Sequence, residues 1–360
     1  MMVAPGAMPP QIKDLRVAST APLVAPGALA GEIPISERAA EFVARTRADA
    51  CRVIHGKDRR LLVVVGPCSI HDVGAADEYA DFLEAEARRH REHLLILMRI
   101  YFEKPRTTTG WKGLINDPHL DGTFDVETGL RMSRTLLRDL AERGVPAASE
   151  VLDPISQQYF GELLVWAAIG ARTIESQTHR EMASGLSVPI GLKNGTDGTL
   201  QTALNAMTAA RQPHHFLGID ENGRSSVVGT TGNADSHLVL RGGAAGPNYD
   251  AAHVLAASEA LSALGLCPRV MIDCSHDNTG KDYTRQPEVC AVVAVQVRQG
   301  LPILGAMIES NLVAGKQPFP PPPGTTLRAG QSITDGCVDL ATTQRMLGQL
   351  AEAAALRPLP

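Results

Sequence analysis

The chain has 360 residues, of which 44% are hydrophobic and 20% charged, and its formal net charge is -5. This composition is typical of a soluble globular protein with room for one large α/β domain, and it excludes a broad basic face for nucleic acid. Six scattered cysteines without a CxxC pair favour reduced thiols in a cytoplasmic protein, and no apolar run reaches the length that would cross a membrane.

The N-terminal residues are expected to form an arm and a helix. Residues 1–35 are rich in Pro, Ala and Gly, which is typical of an extended segment. A helix is predicted next, because Ser36 is a good N-cap, apolar residues follow at near-helical spacing, and Gly56 ends the segment. We therefore expect an N-terminal unit over residues 1–60 and one larger domain over residues 61–355.

From Leu61 onward, short apolar strands alternate with polar clusters and helical stretches. Eight strands are predicted, over residues 61–68, 94–102, 146–151, 171–176, 189–194, 215–220, 269–276 and 303–310. Such alternation predicts a parallel sheet, and eight units without a break in composition predict an α/β fold of the closed (β/α)8 type, a TIM barrel. A Gly- and Thr-rich segment after the sixth predicted strand is interpreted as an inserted β-hairpin.

Functional side chains stand at the ends of nearly all the predicted strands, where barrels of this kind carry their active sites. One subset offers sulfur, nitrogen and carboxylate oxygen to a divalent ion: Cys68, His276, Glu309 and Asp335. Only closure of the barrel would bring these distant residues together, since no local spacing joins them. The alternative is an inert thiol among polar groups that are satisfied by the protein.

A second subset is cationic and consists of Arg99, Lys104, Arg106, Arg172, Lys193 and Arg241. Solvated surface is the usual environment of Lys and Arg, but strand ends that face one mouth favour a shared anion site. In an acidic protein, converging cations indicate small polyanions such as phosphates, because Arg offers paired donors and Lys a point charge. A nucleophile pair of Cys68 and His71 is disfavoured because no nucleophile-elbow motif surrounds it.

Several segments of the chain have a recognisable pattern: GPCSIHD, MRIYFEKPRTTTGWKGLINDPHLDG, GARTIESQTHRE, GLKNGTDGT, LRGG with PNYD, MIDCSH and SITDGC. In this order they resemble motifs of the type I 3-deoxy-D-arabino-heptulosonate 7-phosphate (DAHP) synthases, the feedback-regulated microbial enzymes at the entry of the shikimate pathway. The resemblance runs from about Ile12 to Leu347 and implies a transferase of aromatic amino acid biosynthesis. Such an enzyme condenses phosphoenolpyruvate with erythrose 4-phosphate and releases phosphate.

The resemblance also implies roles for individual residues. The implied ligands of one divalent metal ion, Mn, Fe, Co or Zn, are Cys68, His276, Glu309 and Asp335. The implied contacts of phosphoenolpyruvate are Arg99, Lys104, Glu150, Arg172, Lys193 and Arg241. The implied contacts of erythrose 4-phosphate are Lys104, Pro105, Arg106 and Thr107. The groups expected to take part in catalysis are Cys68, Lys104 and His276, the last of which also contacts substrate.

Regulation and assembly follow from the same resemblance. It implies regulatory and oligomer contacts for residues 1–60, in a homodimer or homotetramer, and a single catalytic barrel over residues 61–355. An aromatic amino-acid effector site is implied at Asp153, Gln157, Leu186, Ser187 and Gly218. Because Gly218 resembles tyrosine-sensitive members more than phenylalanine-sensitive ones, tyrosine is the expected effector. The alternative is that a small residue in this strand reflects packing alone.

The chain departs from the family pattern beside two expected site residues. Residues 244–246 lengthen the loop after Arg241, and Asp277 stands where a small residue is usual, which adds a negative charge beside His276. Two alternative functions stay open. One is another phosphoenolpyruvate-condensing sugar-phosphate synthase, which the segment FEKPRTTTGW and the hairpin disfavour. The other is a non-catalytic phosphosugar-binding barrel, which the complete ligand set disfavours. Neither nucleic acid nor a membrane is an expected partner.

Overall fold

The computed structural model describes residues 12–106 and 110–358 of the chain, which form twelve strands and ten α-helices. The strands are β1 (Leu61–Gly66), β2 (Leu94–Arg99), β3 (Ala147–Glu150), β4 (Leu164–Ile169), β5 (Ile190–Lys193), β6 (His215–Ile219), β7 (Ser225–Gly229), β8 (Ser236–Leu240), β9 (Val270–Asp273), β10 (Ile303–Glu309), β11 (Val313–Lys316) and β12 (Gln331–Ser332). The helices are α1 (Pro26–Glu32), α2 (Glu37–Ile54), α3 (Val73–His90), α4 (Val126–Arg143), α5 (Gln157–Phe160), α6 (Gln177–Ala183), α7 (Gln201–Ala210), α8 (Ala251–Ala263), α9 (Gln286–Arg298) and α10 (Leu340–Ala355).

Eight of the strands close into a barrel in which neighbouring strands are parallel. Their order around the barrel is β1-β10-β9-β8-β5-β4-β3-β2, and β1 pairs with both β2 and β10, which closes the ring. Along the chain, helices alternate with these strands. The predicted α/β class and the closed (β/α)8 barrel with an N-terminal extension are therefore confirmed.

The barrel strands are apolar runs because a parallel strand is covered on both faces. Every residue of β1, β4 and β10 is buried. Glycine is required where two strands approach most closely: a Cβ atom at Gly305 in β10 would overlap the backbone oxygen of Leu62 in β1. Closure of the sheet thus depends on a glycine at position 305 as well as on apolar side chains.

Helix α2 covers the N-terminal end of the barrel. As the sequence predicts, Ser36 caps this helix, and its hydroxyl accepts a hydrogen bond from the Ala39 backbone nitrogen at 3.2 Å. The buried face of α2, including Val43 and Ile54, belongs to one apolar cluster with inward-facing strand residues such as Trp166. The opposite end of the barrel is the mouth toward which the C-terminal ends of the strands point. Among the described residues, no helix is long and apolar enough to cross a membrane.

One of the two wrong strand predictions concerns the fourth barrel strand. Residues 171–176, predicted as a strand, form a turn, and the fourth barrel strand is β4. The sequence of β4, LVWAAI, is predicted there as part of a helix. A short, unbroken apolar run is compatible with both a buried helix and a buried strand, so its periodicity does not separate the two.

The other wrong prediction concerns the sixth barrel strand and the hairpin. Residues 215–219 form β6, which pairs with β7 in an antiparallel hairpin outside the barrel, and the sixth barrel strand is β8. The inserted hairpin therefore precedes the sixth barrel strand instead of following it. Exposed and half-buried residues alternate in β6 and β7, as they do in a surface hairpin, whereas all of β8 is buried.

Candidate active site

A pocket of about 310 Å³ lies at the C-terminal mouth of the barrel. Strands β3 and β5 end in Glu150 and Lys193, which both line it, and loops from other strands complete the wall. The charged residues and the histidine that line the pocket are Lys104, Glu150, Arg172, Lys193, Arg241, His276, Asp277, Lys281 and Asp335. Cations outnumber carboxylates in this group, so the pocket suits an anion although the whole chain is acidic.

The structure brings together three of the four expected metal ligands. The donor atoms of Cys68, Glu309 and Asp335 all lie within 4.8 Å of one another, and Cys68 Sγ is 3.4 Å from Asp335 Oδ2. His276 lies beside this group, with its Nε2 atom 3.7 Å from Glu309 Oε1. One sulfur, one imidazole nitrogen and two carboxylates form a donor set that fits a divalent transition metal.

Two of these candidate ligands are oriented by neighbours that do not belong to the set. His276 Nδ1 is 2.9 Å from Asp273 Oδ2, which leaves Nε2 on the side of Glu309. The Ser275 hydroxyl donates a hydrogen bond to Glu309 Oε2 at 2.9 Å. Partners of this kind hold the ring and the carboxylate in one orientation, as the outer partners of metal ligands do. Asp273 and Ser275 are not among the site residues predicted from the sequence, although both stand in the MIDCSH segment at the end of β9.

The buried thiol of Cys68 contacts the ammonium of Lys104, a residue that lines the pocket. Lys104 Nζ is 3.1 Å from Cys68 Sγ and 3.9 Å from Asp335 Oδ2. Burial opposes the charge on Lys104, but Cys68 and Asp335 outweigh it and raise the pKa of the ammonium above its ordinary value. Burial and the nearby Glu309 carboxylate raise the pKa of the Cys68 thiol to about 12. Binding of a cation by this thiol is therefore coupled to loss of its proton.

Arg99 at the end of β2 connects the metal-ligand group to the barrel wall. Its side chain is fully buried, and its Nη2 atom is 2.8 Å from Glu309 Oε1 and donates to the Cys68 backbone oxygen at 3.1 Å. Its guanidinium carbon lies 3.7 Å from the centre of the Tyr101 ring. Burial of this charge is offset by Glu309, Tyr101 and Cys68, which raise the pKa of the guanidinium above its ordinary value. Arg99 therefore faces the metal-ligand group as a permanent cation.

Three further predicted cations line the pocket, each next to a different oxygen. Lys193 Nζ is 3.0 Å from Asp273 Oδ2, and Arg172 Nη1 donates to the Pro105 backbone oxygen at 2.8 Å. Arg241 contacts Asp277 directly. Three predicted substrate contacts are not among the described residues that line the pocket. Arg99 is fully buried, Arg106 is exposed, and Thr107 lies outside the described residues.

The predicted effector residues stand on separate elements away from the mouth pocket. Gln157 begins α5, Gly218 lies in β6, and Leu186 and Ser187 precede β5. The Gln157 side chain is buried, and its amide has no hydrogen-bond partner among the described residues. Asp153 is exposed and caps its own turn through the backbone nitrogen of Ile155.

The chain is similar to known proteins over nearly its full length. Residues 32–348 match the DAHP synthetase I family. A Phe-sensitive phospho-2-dehydro-3-deoxyheptonate aldolase of Escherichia coli (strain K12) is 50% identical over 348 residues, which are 96% of this chain and 99% of that protein. The Tyr-sensitive one of the same organism is 49% identical over 340 residues, 94% of this chain and 95% of that protein. A solved phospho-2-dehydro-3-deoxyheptonate aldolase from Francisella tularensis SCHU S4 superimposes with a TM-score of 0.93 at 48% identity, covering 95% of this chain and 100% of that one.

Proposed function

The chain belongs to the DAHP synthetase I family, and we propose that the pocket at the barrel mouth carries out the reaction of that family. The enzyme is a 3-deoxy-7-phosphoheptulonate synthase, which condenses phosphoenolpyruvate with D-erythrose 4-phosphate to give DAHP and phosphate. The observation that carries this assignment is the convergence of the ligand group of Cys68, Glu309 and Asp335 with a cationic pocket. Neither set alone would suit the condensation of two phosphorylated substrates.

Cys68, His276, Glu309 and Asp335 are the proposed ligands of the metal. When bound there, a divalent ion would supply a Lewis acid that polarises the aldehyde oxygen of erythrose 4-phosphate. The mixed donor set suits Mn, Fe, Co or Zn. Turnover after stripping and reloading the protein with each of these metals tests which one it uses.

Arg99, a predicted phosphoenolpyruvate contact, is fully buried against Glu309 and does not line the pocket. Phosphoenolpyruvate is therefore proposed to lie against four cations that do line it, Lys104, Arg172, Lys193 and Arg241. The support is that these four cations line one pocket from different strand ends. Glu150 faces the same space, and a Cβ at Gly170 would lie 2.5 Å from its Oε1 atom, so the glycine leaves room for the carboxylate. Charges held in fixed positions bind a dianion without reorganisation during the reaction.

Erythrose 4-phosphate is proposed to bind along the segment of Lys104, Pro105 and Arg106, with Thr107 as a further contact. The hydrogen bond from Arg172 to the Pro105 backbone oxygen ties this segment to the pocket wall and supports the proposal. Arg106 directly follows Pro105, which lines the pocket, and its side chain is exposed, so we propose that it binds the second phosphate. The phosphates of the two substrates repel each other. Two cationic positions offset this repulsion and hold the substrates close enough to react.

The chain's own residues then guide the condensation. C3 of phosphoenolpyruvate attacks the aldehyde carbon, and water adds to C2 while one of its protons is transferred to the former aldehyde oxygen. The C2–O bond to phosphate then breaks as the new C2 hydroxyl loses its proton to the leaving phosphate. Lys104 retains its proton because its pKa is raised, so its ammonium is available to stabilise negative charge that develops on the aldehyde oxygen. His276 is held through Nδ1 by Asp273 and presents Nε2 to the reacting side. We therefore propose catalytic roles for Lys104 and His276, together with Cys68 as a ligand of the metal.

The test is to supply the purified protein with phosphoenolpyruvate and one of several aldose phosphates, and to follow phosphate release with and without a chelator. We expect turnover with erythrose 4-phosphate, loss of turnover with the chelator, and recovery when a divalent metal is added. Turnover with arabinose 5-phosphate instead would favour the other sugar-phosphate synthase. Binding of phosphosugars without turnover under any metal would favour a non-catalytic barrel.

Feedback inhibition by tyrosine is the regulation that we propose, at Asp153, Gln157, Leu186, Ser187 and Gly218. It is supported by the buried Gln157 amide, whose nitrogen and oxygen have no hydrogen-bond partner among the described residues. Inhibition of phosphate release by tyrosine, phenylalanine and tryptophan is to be compared at equal concentrations. Insensitivity to tyrosine together with inhibition by phenylalanine would contradict the choice of effector.

A homodimer or homotetramer that uses residues 1–60 is the proposed assembly, with residues 61–355 as the catalytic barrel. Exposed apolar side chains of the arm support it: Ile12 is 87% exposed and Leu15 67%. Leu217 and Val227 in the hairpin of β6 and β7 are exposed as well. Light scattering of the full chain and of a chain lacking residues 1–30 tests the assembly. The cytoplasmic location expected from the cysteines stays a prediction.

A further inference from the structure

A carboxylate in the mouth pocket contacts one of the cations proposed to bind phosphate. The guanidinium of Arg241, through Nη1, is in direct contact with Asp277 Oδ2, and both residues line the pocket. The Arg241 side chain is 9% exposed and that of Asp277 23%. A negative charge thus faces the space that has to accept a negatively charged substrate.

The backbone holds Asp277 opposite Arg241. Asp277 belongs to a 3-10 turn whose next residue, Asn278, donates from its backbone nitrogen to the Arg241 backbone oxygen at 3.2 Å and from its side chain to the Leu240 backbone oxygen at 3.1 Å. Gly242 has φ +74°, and a Cβ there would lie 2.6 Å from the Asn278 nitrogen. Because the two main chains are in contact, only rotation of side chains can separate the carboxylate from the guanidinium.

A second pair of a cation and a carboxylate, of which only the cation lines the pocket, shows what is unusual about the first. Lys193 pairs with Asp273, whose side chain is fully buried and also contacts His276. Asp273 therefore fixes neighbouring side chains and is covered by them. Asp277, in contrast, lies at the pocket surface, where a ligand can reach the same guanidinium donors.

We infer that Asp277 acts as an internal competitor of phosphate groups for Arg241 and sets the affinity of the pocket for phosphoenolpyruvate and inorganic phosphate. This inference rests on the proposed function. A phosphate that approaches Arg241 has to displace the carboxylate or bind beside a like charge, and either route weakens binding. The same competition speeds the departure of inorganic phosphate after the reaction.

Substitution Asp277→Asn removes the charge and keeps the size of the side chain. Phosphoenolpyruvate is titrated into the Mn²⁺-loaded protein by calorimetry without the aldose, so that no turnover occurs. We expect binding about tenfold tighter than in the wild type, which corresponds to about 1.4 kcal/mol, and a similar gain for inorganic phosphate. In steady-state assays the KM for phosphoenolpyruvate falls, whereas kcat does not rise.

Two control variants separate direct pairing from a general change of charge. Asp277→Glu keeps the carboxylate and is expected to bind phosphoenolpyruvate like the wild type. Asp197→Asn removes a carboxylate from the loop after β5. This carboxylate accepts hydrogen bonds from the backbone nitrogen and the hydroxyl of Thr199, and its loss is expected to change the affinity for phosphoenolpyruvate by less than about twofold.

Weaker or unchanged binding in Asp277→Asn overturns the inference; weaker binding would mean that the carboxylate orients Arg241. Asp277→Ser provides a second neutral side chain, so a folding defect of one variant does not decide the outcome, and both have to bind more tightly. If the wild type does not bind phosphoenolpyruvate at all, the proposed function fails as well. If the wild type binds and the variants do not differ from it, only the present inference fails.

Discussion

Glu103 carries a carboxyl group that the structure buries between two loops. The residue is 4% exposed, and its Oε2 atom accepts a hydrogen bond from the Ser156 hydroxyl at 3.0 Å and from the Asp153 backbone nitrogen at 3.5 Å. Burial and the nearby charges of Asp153 and Glu150 raise the pKa of Glu103 to about 7. Replacing it by glutamine keeps an acceptor for Ser156 and removes the titration.

The raised pKa makes the free energy of unfolding depend on pH. Between the ordinary pKa of about 4.5 and the folded value of about 7, the folded state holds a proton that the unfolded state releases. Stability from this group is therefore fully present below pH 4.5 and is lost as the pH rises to 7. The pKa difference between the folded and unfolded states lowers the free energy of unfolding by about 3 kcal/mol at pH 8. We expect Glu103→Gln to raise the free energy of unfolding by up to that amount at pH 8 and by almost nothing at pH 4.5.

Urea unfolding followed by circular dichroism at several pH values between 4.5 and 8 measures this difference. Glu92→Gln is the matched control, because the Glu92 side chain is 73% exposed and its removal is expected to change stability by less than about 0.5 kcal/mol at every pH. The reasoning is refuted if the gap between Glu103→Gln and the wild type does not widen with rising pH, or if the variant is less stable at pH 8.

Three further substitutions, the last of them with a control variant, test the site and the barrel. Cys68→Ala is expected to abolish metal-dependent phosphate release and to weaken metal retention on dialysis, while the circular dichroism spectrum stays that of the wild type; near-normal turnover would contradict a ligand role. Arg99→Lys keeps the charge but loses the paired donors, so kcat/KM is expected to fall at least about tenfold in a steady-state assay. Gly305→Ala is expected to prevent normal closure of the barrel because the new methyl group would overlap the Leu62 backbone oxygen. Its yield of soluble protein should collapse, whereas Gly348→Ala, with nothing within 4 Å of the new Cβ, should raise the melting temperature slightly.

Much of the fold could be predicted from local patterns. Six of the eight predicted strands coincide with barrel strands, because apolar runs bounded by turn residues are local features. The segment LVWAAI was not separable from a helix, since a strand covered on both faces lacks the alternation that marks a half-exposed one. For the opposite reason, the alternating segment HFLGI was mistaken for a barrel strand although it forms one half of a surface hairpin.

The candidate site divides in the same way. The sequence by itself determined which residue types stand at the strand ends, since a strand end and its side chain are encoded in a few consecutive residues. It could therefore name Cys68, His276, Glu309 and Asp335 as candidate ligands, but not their distances from one another. Ring closure brings β1 beside β10 and so carries Cys68 to Glu309.

Only the tertiary structure decided which charges meet. The contact between Arg241 and Asp277 depends on the packing of the turn after β9 against the end of β8. The raised pKa of Glu103 depends on burial by the loop after β3. Coulomb energy and desolvation depend on distance and burial in space, and residues far apart in sequence acquire both only when the barrel closes.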